Sequence, residues 1–175
     1  NIRPIKRMQD LIQAIALLKD DAPALDAVLI GDGDSRALQE LATNAGIGDR
    51  VHFLGPREDV PACLAQLDIG VLCSESEGFS NALVEYMRAG LPCIATNAGG
   101  NPEAIEHGRT GFLYPVGDVS ALSQHLYRVA SDSSCRTALG QQARRVANEK
   151  YSIEAMTDAH CALYERVLSA RDAKR

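Results

Sequence analysis

DIGVLCSESEGFSNALVEYMRAGLPCIAT, residues 68–96, decides how this chain folds. The apolar run ending in GVLC stops at a polar turn. NALVEYMRAG then spaces its apolar residues at helical intervals until Gly90 ends it, and LPCIAT is a second apolar run. Short runs of this kind, bounded by turn residues, read as buried strands. Strand, helix and strand in that order form a crossover unit, and hence a parallel sheet covered on both faces.

The alternation extends in both directions from this stretch. MQDLIQAIALLK has helical spacing, ALDAVLIG reads as a strand ending at Gly31, and SRALQELATNAG as a helix capped by Asp34 and closed by Gly46. RVHFLG is a strand, and EDVPACLAQ a short helix starting near Asp59 with Pro61 in its first turn. Beyond Thr96, NPEAIEHG is a helical turn and TGFLYP a last strand. VSALSQHLYRVAS, CRTALGQQARRVANEK and IEAMTDAHCALYERVL are terminal helices. Residues 1–170 therefore form one α/β domain, with 171–175 a frayed tail. Ligands of such sheets bind at the carboxyl ends of strands, where strand order reverses. The functional loops are then GDGD, GPRED, SESEGFSN and TNAGGNPE.

A chain of 175 residues, 46% hydrophobic and 23% charged, can bury a sizeable core. Its net charge of −5 disfavours general attraction to nucleic acid or anionic membrane, though a local basic patch can hold one phosphate group. No apolar run reaches the ~20 residues that span a bilayer, and no signal peptide is visible. The five cysteines form no CxxC pair, and Cys73 and Cys93 lie in strand-like runs. Buried free thiols in a reducing cytoplasm are the expectation. A first residue that is Asn rather than Met suggests a piece of something longer.

Several chemistries find little support. Gly31-Asp-Gly33-Asp lacks the third glycine of a dinucleotide fingerprint, and its acids would repel a pyrophosphate. His52, His107, His125 and His160 share no ligand spacing. Neither a Gly-x-Ser-x-Gly elbow nor a P-loop occurs.

Residues 74–90 carry more. Gly78 relaxes the turn, and Ser80 or Asn81 can cap the helix that follows, so that its amides make a site for phosphate oxygens. Glu77 in the loop and Glu85 about one turn inside the helix can accept hydrogen bonds from sugar hydroxyls. The plain alternative is a solvated pair with Glu85 bridged to Arg88, and spacing alone favours it. Arg3, Lys6 and Arg7 precede the first helix, where a strand's carboxyl end is expected. They suit a phosphorylated ligand or are a solvated basic turn. Gly99-Gly100 allows close backbone approach to a ligand, or is a tight turn.

ESEGFSNALVEYMRAGLPCIATNAGGNPEAIEHGRTGFLYPVGD closely resembles the donor-binding half of family 4 retaining glycosyltransferases of the GT-B fold. The Glu77-x7-Glu85 pair, Gly90-Leu-Pro, Gly99-Gly-Asn-Pro-Glu103 and Gly108-x-Thr-Gly111 match in order and spacing. NIRPIKRMQDLIQA, VLIGDGD and VHFLGPRED match earlier segments, so the resemblance covers almost the whole chain. It implies a Rossmann-like parallel sheet flanked by helices, and it reverses the preference for a solvated glutamate pair. It also implies roles. Lys6 contacts the donor diphosphate. Glu77 holds hydroxyls of the transferred sugar, with backbone from Gly78 through Phe79 and Ser80 to Asn81 near sugar and phosphates. Glu85 binds the ribose, and Gly55 to Arg57 lie beside the base. Lys6 and Glu77 would be the catalytic residues. Many members carry an arginine five positions before the lysine, where this chain has Asn1. Arg3 then supplies that charge, or diphosphate binding is weaker. Asn1 within NxRPxKR is reminiscent of the bacillithiol-pathway branch, which uses UDP-N-acetylglucosamine.

The resemblance further implies hexosyl transfer from a nucleotide-sugar donor, UDP-sugar favoured over GDP-sugar. No cofactor or metal and no nucleic-acid partner is expected. An N-terminal acceptor domain would be missing, with peripheral membrane association through it, at the inner face of a cytoplasmic membrane. The last helix resembles the segment that crosses back to that domain, so its apolar face would be partly exposed. The isolated piece would transfer nothing measurable alone. A non-catalytic nucleotide-sugar sensor, a GT-B epimerase and a flavodoxin-like signalling module are the competing readings.

Overall fold

A computed structural model of the protein describes residues 2–21 and 25–172. After a 3-10 turn at Pro4–Lys6 come α1 (Met8–Leu17), β1 (Ala27–Ile30), α2 (Arg36–Asn44), β2 (Val51–Gly55) and α3 (Val60–Leu64). Then follow β3 (Gly70–Leu72), α4 (Asn81–Ala89), β4 (Cys93–Thr96), α5 (Asn101–Ala104) and β5 (Gly111–Tyr114). The helices α6 (Val119–Ser131), α7 (Ser133–Lys150) and α8 (Ile153–Asp172) close the chain.

Every strand pairing is parallel, as the crossover pattern requires. The sheet is nevertheless in two pieces, β1 with β2 and β3-β4-β5, rather than one. Ala27 stands opposite Val51, Gly70 opposite Cys93, and Cys93 in turn opposite Gly111. β4, flanked on both sides, is buried at all four residues, which explains its unbroken apolar sequence. Its alternate side chains feed two cores. Ile94 joins Ile12, Ile15 and Leu122 from α1 and α6; Cys93 and Ala95 join Leu83, Met87 and Ala143 from α4 and α7. Helices thus cover both faces, α1 packing on α6 and α4 on α7.

Local chemistry sets the element ends. Gly90 closes α4 in the left-handed conformation, φ 82°, where a side chain would be strained. Asp132 accepts from the Cys135 amide at 2.9 Å, so α7 starts at Ser133, before the expected Cys135. Asp34 does not cap α2 as expected. Ser35 holds that position without a side-chain bond, and Asp34 instead grips Arg36 through its amide (3.0 Å) and guanidinium. α5 is a single turn, because Ile105 turns to extended backbone. Arg171 and Asp172 continue α8 rather than fraying, and residues 173–175 lie outside the described part, as do Asn1 and the Ala24 start of the expected first strand.

All five cysteines are free, with Cys73 and Cys93 buried as expected. Burial pushes the Cys73 thiol up to about 12, which leaves it unreactive. Along α8, Ile153, Met156, Tyr164, Val167 and Leu168 are each more than half exposed. That agrees with the apolar face expected there.

Candidate donor-binding site

Lys6 is the last residue of the 3-10 turn, and its direction is set by its neighbour. Arg7 adopts φ 45°, the only positive φ on a non-glycine residue among those described. Its guanidinium makes two bonds to Asp10, 2.8 and 3.1 Å, and Asp10 is only 1% exposed. Bidentate pairing to a buried carboxylate holds a conformation that costs about 1–3 kcal/mol. Arg7 is therefore committed to structure, not free for a ligand. Asp10 had no part in the sequence reading. Its only signal was an acid beside the apolar stripe of α1, three positions after Arg7.

With Arg7 so fixed, the Lys6 ammonium meets Glu77 Oε1 at 2.5 Å, across 71 positions of sequence. The Glu77 side chain is 14% exposed and Lys6 30%. Burial pushes the Glu77 carboxyl up, but the hydrogen bond and charge of Lys6 outweigh it and the net direction is down. The Glu77 carboxyl is therefore ionised at neutral pH.

The loop bearing Glu77 is braced from β4. Thr96 Oγ1 donates to the Ser74 carbonyl at 2.6 Å, and Asn101 Nδ2 donates to the Thr96 carbonyl at 3.1 Å. The Gly100 amide donates to the Glu77 carbonyl at 3.1 Å. A β-carbon on Gly100 would fall 1.9 Å from the Gly78 carbonyl oxygen. The glycine pair thus makes its close approach to the Glu77–Gly78 backbone. The pair is also the centre of a hydrogen-bonded turn, the Asn101 amide donating to the Ala98 carbonyl at 3.2 Å, as the tight-turn reading expected.

At the mouth of α4, Ser80 occupies the N-cap position without a side-chain bond, so neither expected cap forms. Ser80 is buried at 5% exposure while Gly78, Phe79 and Asn81 are exposed. The first-turn amides are left without a side-chain acceptor, the arrangement that suits phosphate oxygens. Phe79 lies against Tyr151, ring centroids 5.2 Å apart, and the Tyr151 hydroxyl donates to the Glu103 carbonyl at 3.1 Å.

Glu85 stands on α4 and is exposed. Among the described residues it makes no ion pair, so the plain bridge to Arg88 does not form. A cavity of about 720 Å³ is lined by Glu85, Lys6 and Arg57. One concavity therefore joins Glu85 to the N-terminal lysine, and Glu77, which does not line it, touches that lysine. Arg57 is held by Asp59 at 2.8 and 2.6 Å, and Arg3 lies exposed just ahead of the 3-10 turn. His107 and His125 cluster with Phe112 away from this cavity, ring centroids 5.8 Å apart. Among the described residues no three His, Cys, Asp or Glu side chains converge as metal ligands do.

The sequence model of the family described as "Glycosyl transferases group 1" matches residues 1–132. The chain belongs to that family. Like this group 1 glycosyl transferase chain, the N-acetyl-alpha-D-glucosaminyl L-malate synthase of Bacillus anthracis carries the whole segment. The two are 37% identical over 175 residues, covering 99% of this chain and 45% of the synthase. HepE of Anabaena, solved in complex with UDP-glucose, superposes with a TM-score of 0.86 at 28% identity, over 95% of this chain and 47% of HepE. The C-terminal domain of the group 1 protein LpcC from Francisella tularensis gives 0.78 at 31% identity, over 87% of this chain and 83% of that domain. The chain thus spans about half the length of the curated relatives it matches. The family's fold, parallel strands between helices, is the fold described above.

Proposed function

We propose that this chain is the donor-binding half of a retaining glycosyltransferase, which moves a hexosyl group from a UDP-sugar to an acceptor hydroxyl. An acceptor-binding domain would face the mouth of α4 and complete the cleft. The single observation carrying this reading is the contact between Lys6 and Glu77 beside the open end of α4, next to the cavity that Glu85 lines.

The chemistry follows from that arrangement. A diphosphate at the mouth of α4 takes Lys6 as its counter-ion, with Arg3 nearby, and accepts from the helix amides. Glu77, released from Lys6, accepts from sugar hydroxyls, and Glu85 from those of the ribose. As the bond from the anomeric carbon to the diphosphate breaks, Lys6 and the helix end neutralise the charge left behind. The acceptor oxygen bonds to that carbon on the face the diphosphate vacates, and its proton leaves with the diphosphate. This positive charge comes from the chain itself, so the reading calls for no divalent ion. The UDP-glucose bound to HepE supports uracil as the base. We place the protein in the cytoplasm, consistent with its buried thiols, with the cleft able to reach acceptors at the membrane's inner face.

Calorimetric titration with UDP, UDP-glucose, UDP-N-acetylglucosamine and a GDP-sugar tests the proposal. Binding of UDP and UDP-sugars, well above uridine, is expected. Equal binding of uridine and UDP, or no binding of any nucleoside diphosphate, overturns it. Binding of the GDP-sugar alone overturns the choice of base.

A further inference from the structure

Glu77 holds one charged partner and, in binding a donor, must let it go. Among the described residues the Lys6 ammonium is the only side chain that hydrogen-bonds to its carboxylate, and no other charged group bears on it. Once that ammonium turns to a diphosphate, a carboxylate whose side chain is 14% exposed is left without its counter-ion. A bound sugar then screens it from water. An ionised carboxylate so placed either finds another donor or takes up a proton, and a protonated one is a poorer acceptor for sugar hydroxyls.

One hydroxyl is in place to serve. Ser74 lies three positions ahead of Glu77 in the same loop and is 0% exposed, and its Oγ is buried with no hydrogen-bond partner among the described residues. Buried hydroxyls seldom stay unpaired in a folded chain. Burial raises the Glu77 carboxyl, Lys6 lowers it most, and Ser74 is the next group that lowers it. The hydroxyl thus stands beside the carboxylate without being engaged in a hydrogen bond.

Backbone contacts keep the two side by side whatever Lys6 does. Thr96 Oγ1 donates to the Ser74 carbonyl at 2.6 Å, the Glu75 amide to the Ile5 carbonyl at 2.8 Å, and the Gly100 amide to the Glu77 carbonyl at 3.1 Å. None of these bonds involves the Lys6 ammonium. Thr96, Asn101, Gly99 and Gly100, which brace the loop, are all neutral, so no second cation stands behind Glu77 to replace the lysine.

We propose that Ser74 is a positioning residue for Glu77. As the Lys6 ammonium turns to the diphosphate, the Ser74 hydroxyl rotates to donate to the Glu77 carboxylate, fixing one carboxylate oxygen and leaving the other to the sugar. The two partners suit the exchange. A lysine head on a flexible four-carbon stem can swing from carboxylate to diphosphate, whereas a serine hydroxyl turns about one bond and stays in place. Ser74 acts through Glu77 rather than on the donor, and its role rests on the donor-binding function proposed for the site.

Calorimetric titration of the unsubstituted protein, Ser74→Ala and Ser74→Cys with UDP and with UDP-glucose tests this role, the cysteine keeping nearly the size of serine with only a weak donor. At about pH 7 both variants should bind UDP-glucose at least about tenfold more weakly. UDP alone should suffer much less, because water then takes the sugar's place beside Glu77. At about pH 5.5 the binding of UDP-glucose to Ser74→Ala should take up a fraction of a proton beyond any taken up by the unsubstituted protein. Heats in two buffers of unlike ionisation enthalpy read that uptake. The Tm of the free variants should stay within about 2 °C, since the hydroxyl makes no bond there. Equal weakening of both ligands, equal proton uptake, or undiminished UDP-glucose binding by Ser74→Cys overturns the role of Ser74 and leaves the donor site standing. A Tm lowered by more than about 4 °C makes the hydroxyl part of the free fold and overturns it too. Failure of the unsubstituted protein to bind either ligand overturns the donor site and the role of Ser74 with it.

Discussion

Gly99 stands directly behind Glu77: a β-carbon on Gly99 would fall 1.8 Å from the Glu77 carbonyl oxygen, and its φ of +54° is one that side chains rarely adopt. The loop that carries the Glu77 carboxylate is therefore placed by a residue with no side chain at all. Gly99→Ala should cost about 1–3 kcal/mol of stability and displace the Glu77 loop. Thermal unfolding and UDP-sugar titration should both show the loss. A variant that unfolds earlier yet binds donor normally would show that the loop position does not depend on this contact.

Glu85 and Lys6 should separate the two ends of a nucleotide. Glu85 is exposed and without an ion pair among the described residues, so Glu85→Ala should leave Tm unchanged. It should weaken UDP and uridine alike by about 1.5–3 kcal/mol, the worth of a charged acceptor for ribose hydroxyls. Lys6→Ala should weaken UDP much more than uridine. Equal effects of Lys6→Ala on both ligands, seen by calorimetry, would remove the diphosphate contact.

Acid should dissolve the Lys6–Glu77 contact. The Glu77 carboxyl lies below its ordinary 4.5 in the folded chain: burial raises it, and the Lys6 hydrogen bond and charge more than offset that. A group depressed on folding contributes its full stability above the unfolded value and loses it as pH falls through the folded one. The Tm difference between the protein and Glu77→Gln should therefore be flat from about pH 6 to 8 and shrink below about 4.5. A difference that grows in acid would contradict the direction of the shift.

Arg7 and Asp10 should respond unequally to substitution. The Arg7 side chain is 29% exposed and Asp10 only 2%, so removing the arginine strands a buried carboxylate. Arg7→Ala should cost about 3 kcal/mol, and Arg7→Gly nearly as much despite relieving the left-handed backbone. Asp10→Asn, which leaves the partly exposed arginine to water, should cost less. Chemical denaturation of the three variants checks the order.

The strand and helix sequence was legible because it rests on local pattern. IGVLC, LPCIAT and VSALSQHLYRVAS declare their periods, and Gly90 ends a helix by chemistry within one turn, whereas the equally local cap at Asp132 went unread and α7 was expected to start at Cys135. The candidate acids were legible only in part. Spacing put Glu77 in a loop and Glu85 in a helix and could not say whether they faced a ligand, and the family resemblance carried that step. The Lys6 to Glu77 contact, the bracing of Glu77 by Gly99 and Gly100, and the burial of Asp10 depend on residues brought together by crossovers. No window of sequence contains them. The failed caps at Asp34 and Ser80 have a more local cause. Asp34 has a stronger partner in Arg36, and Ser80 is drawn under the loop, so propensity yielded to geometry at both.

The Phe79–Tyr151 ring contact ties two distant stretches of chain together. Phe79 belongs to the loop that carries Glu77, and Tyr151 sits two residues before α8 starts, with its hydroxyl anchored on Glu103. Any tilt of the long terminal helix must pivot at that tyrosine and press on the phenylalanine. Movement of a body riding on α8 would reach the Glu77 loop as a mechanical push, with no need for a message through the sheet.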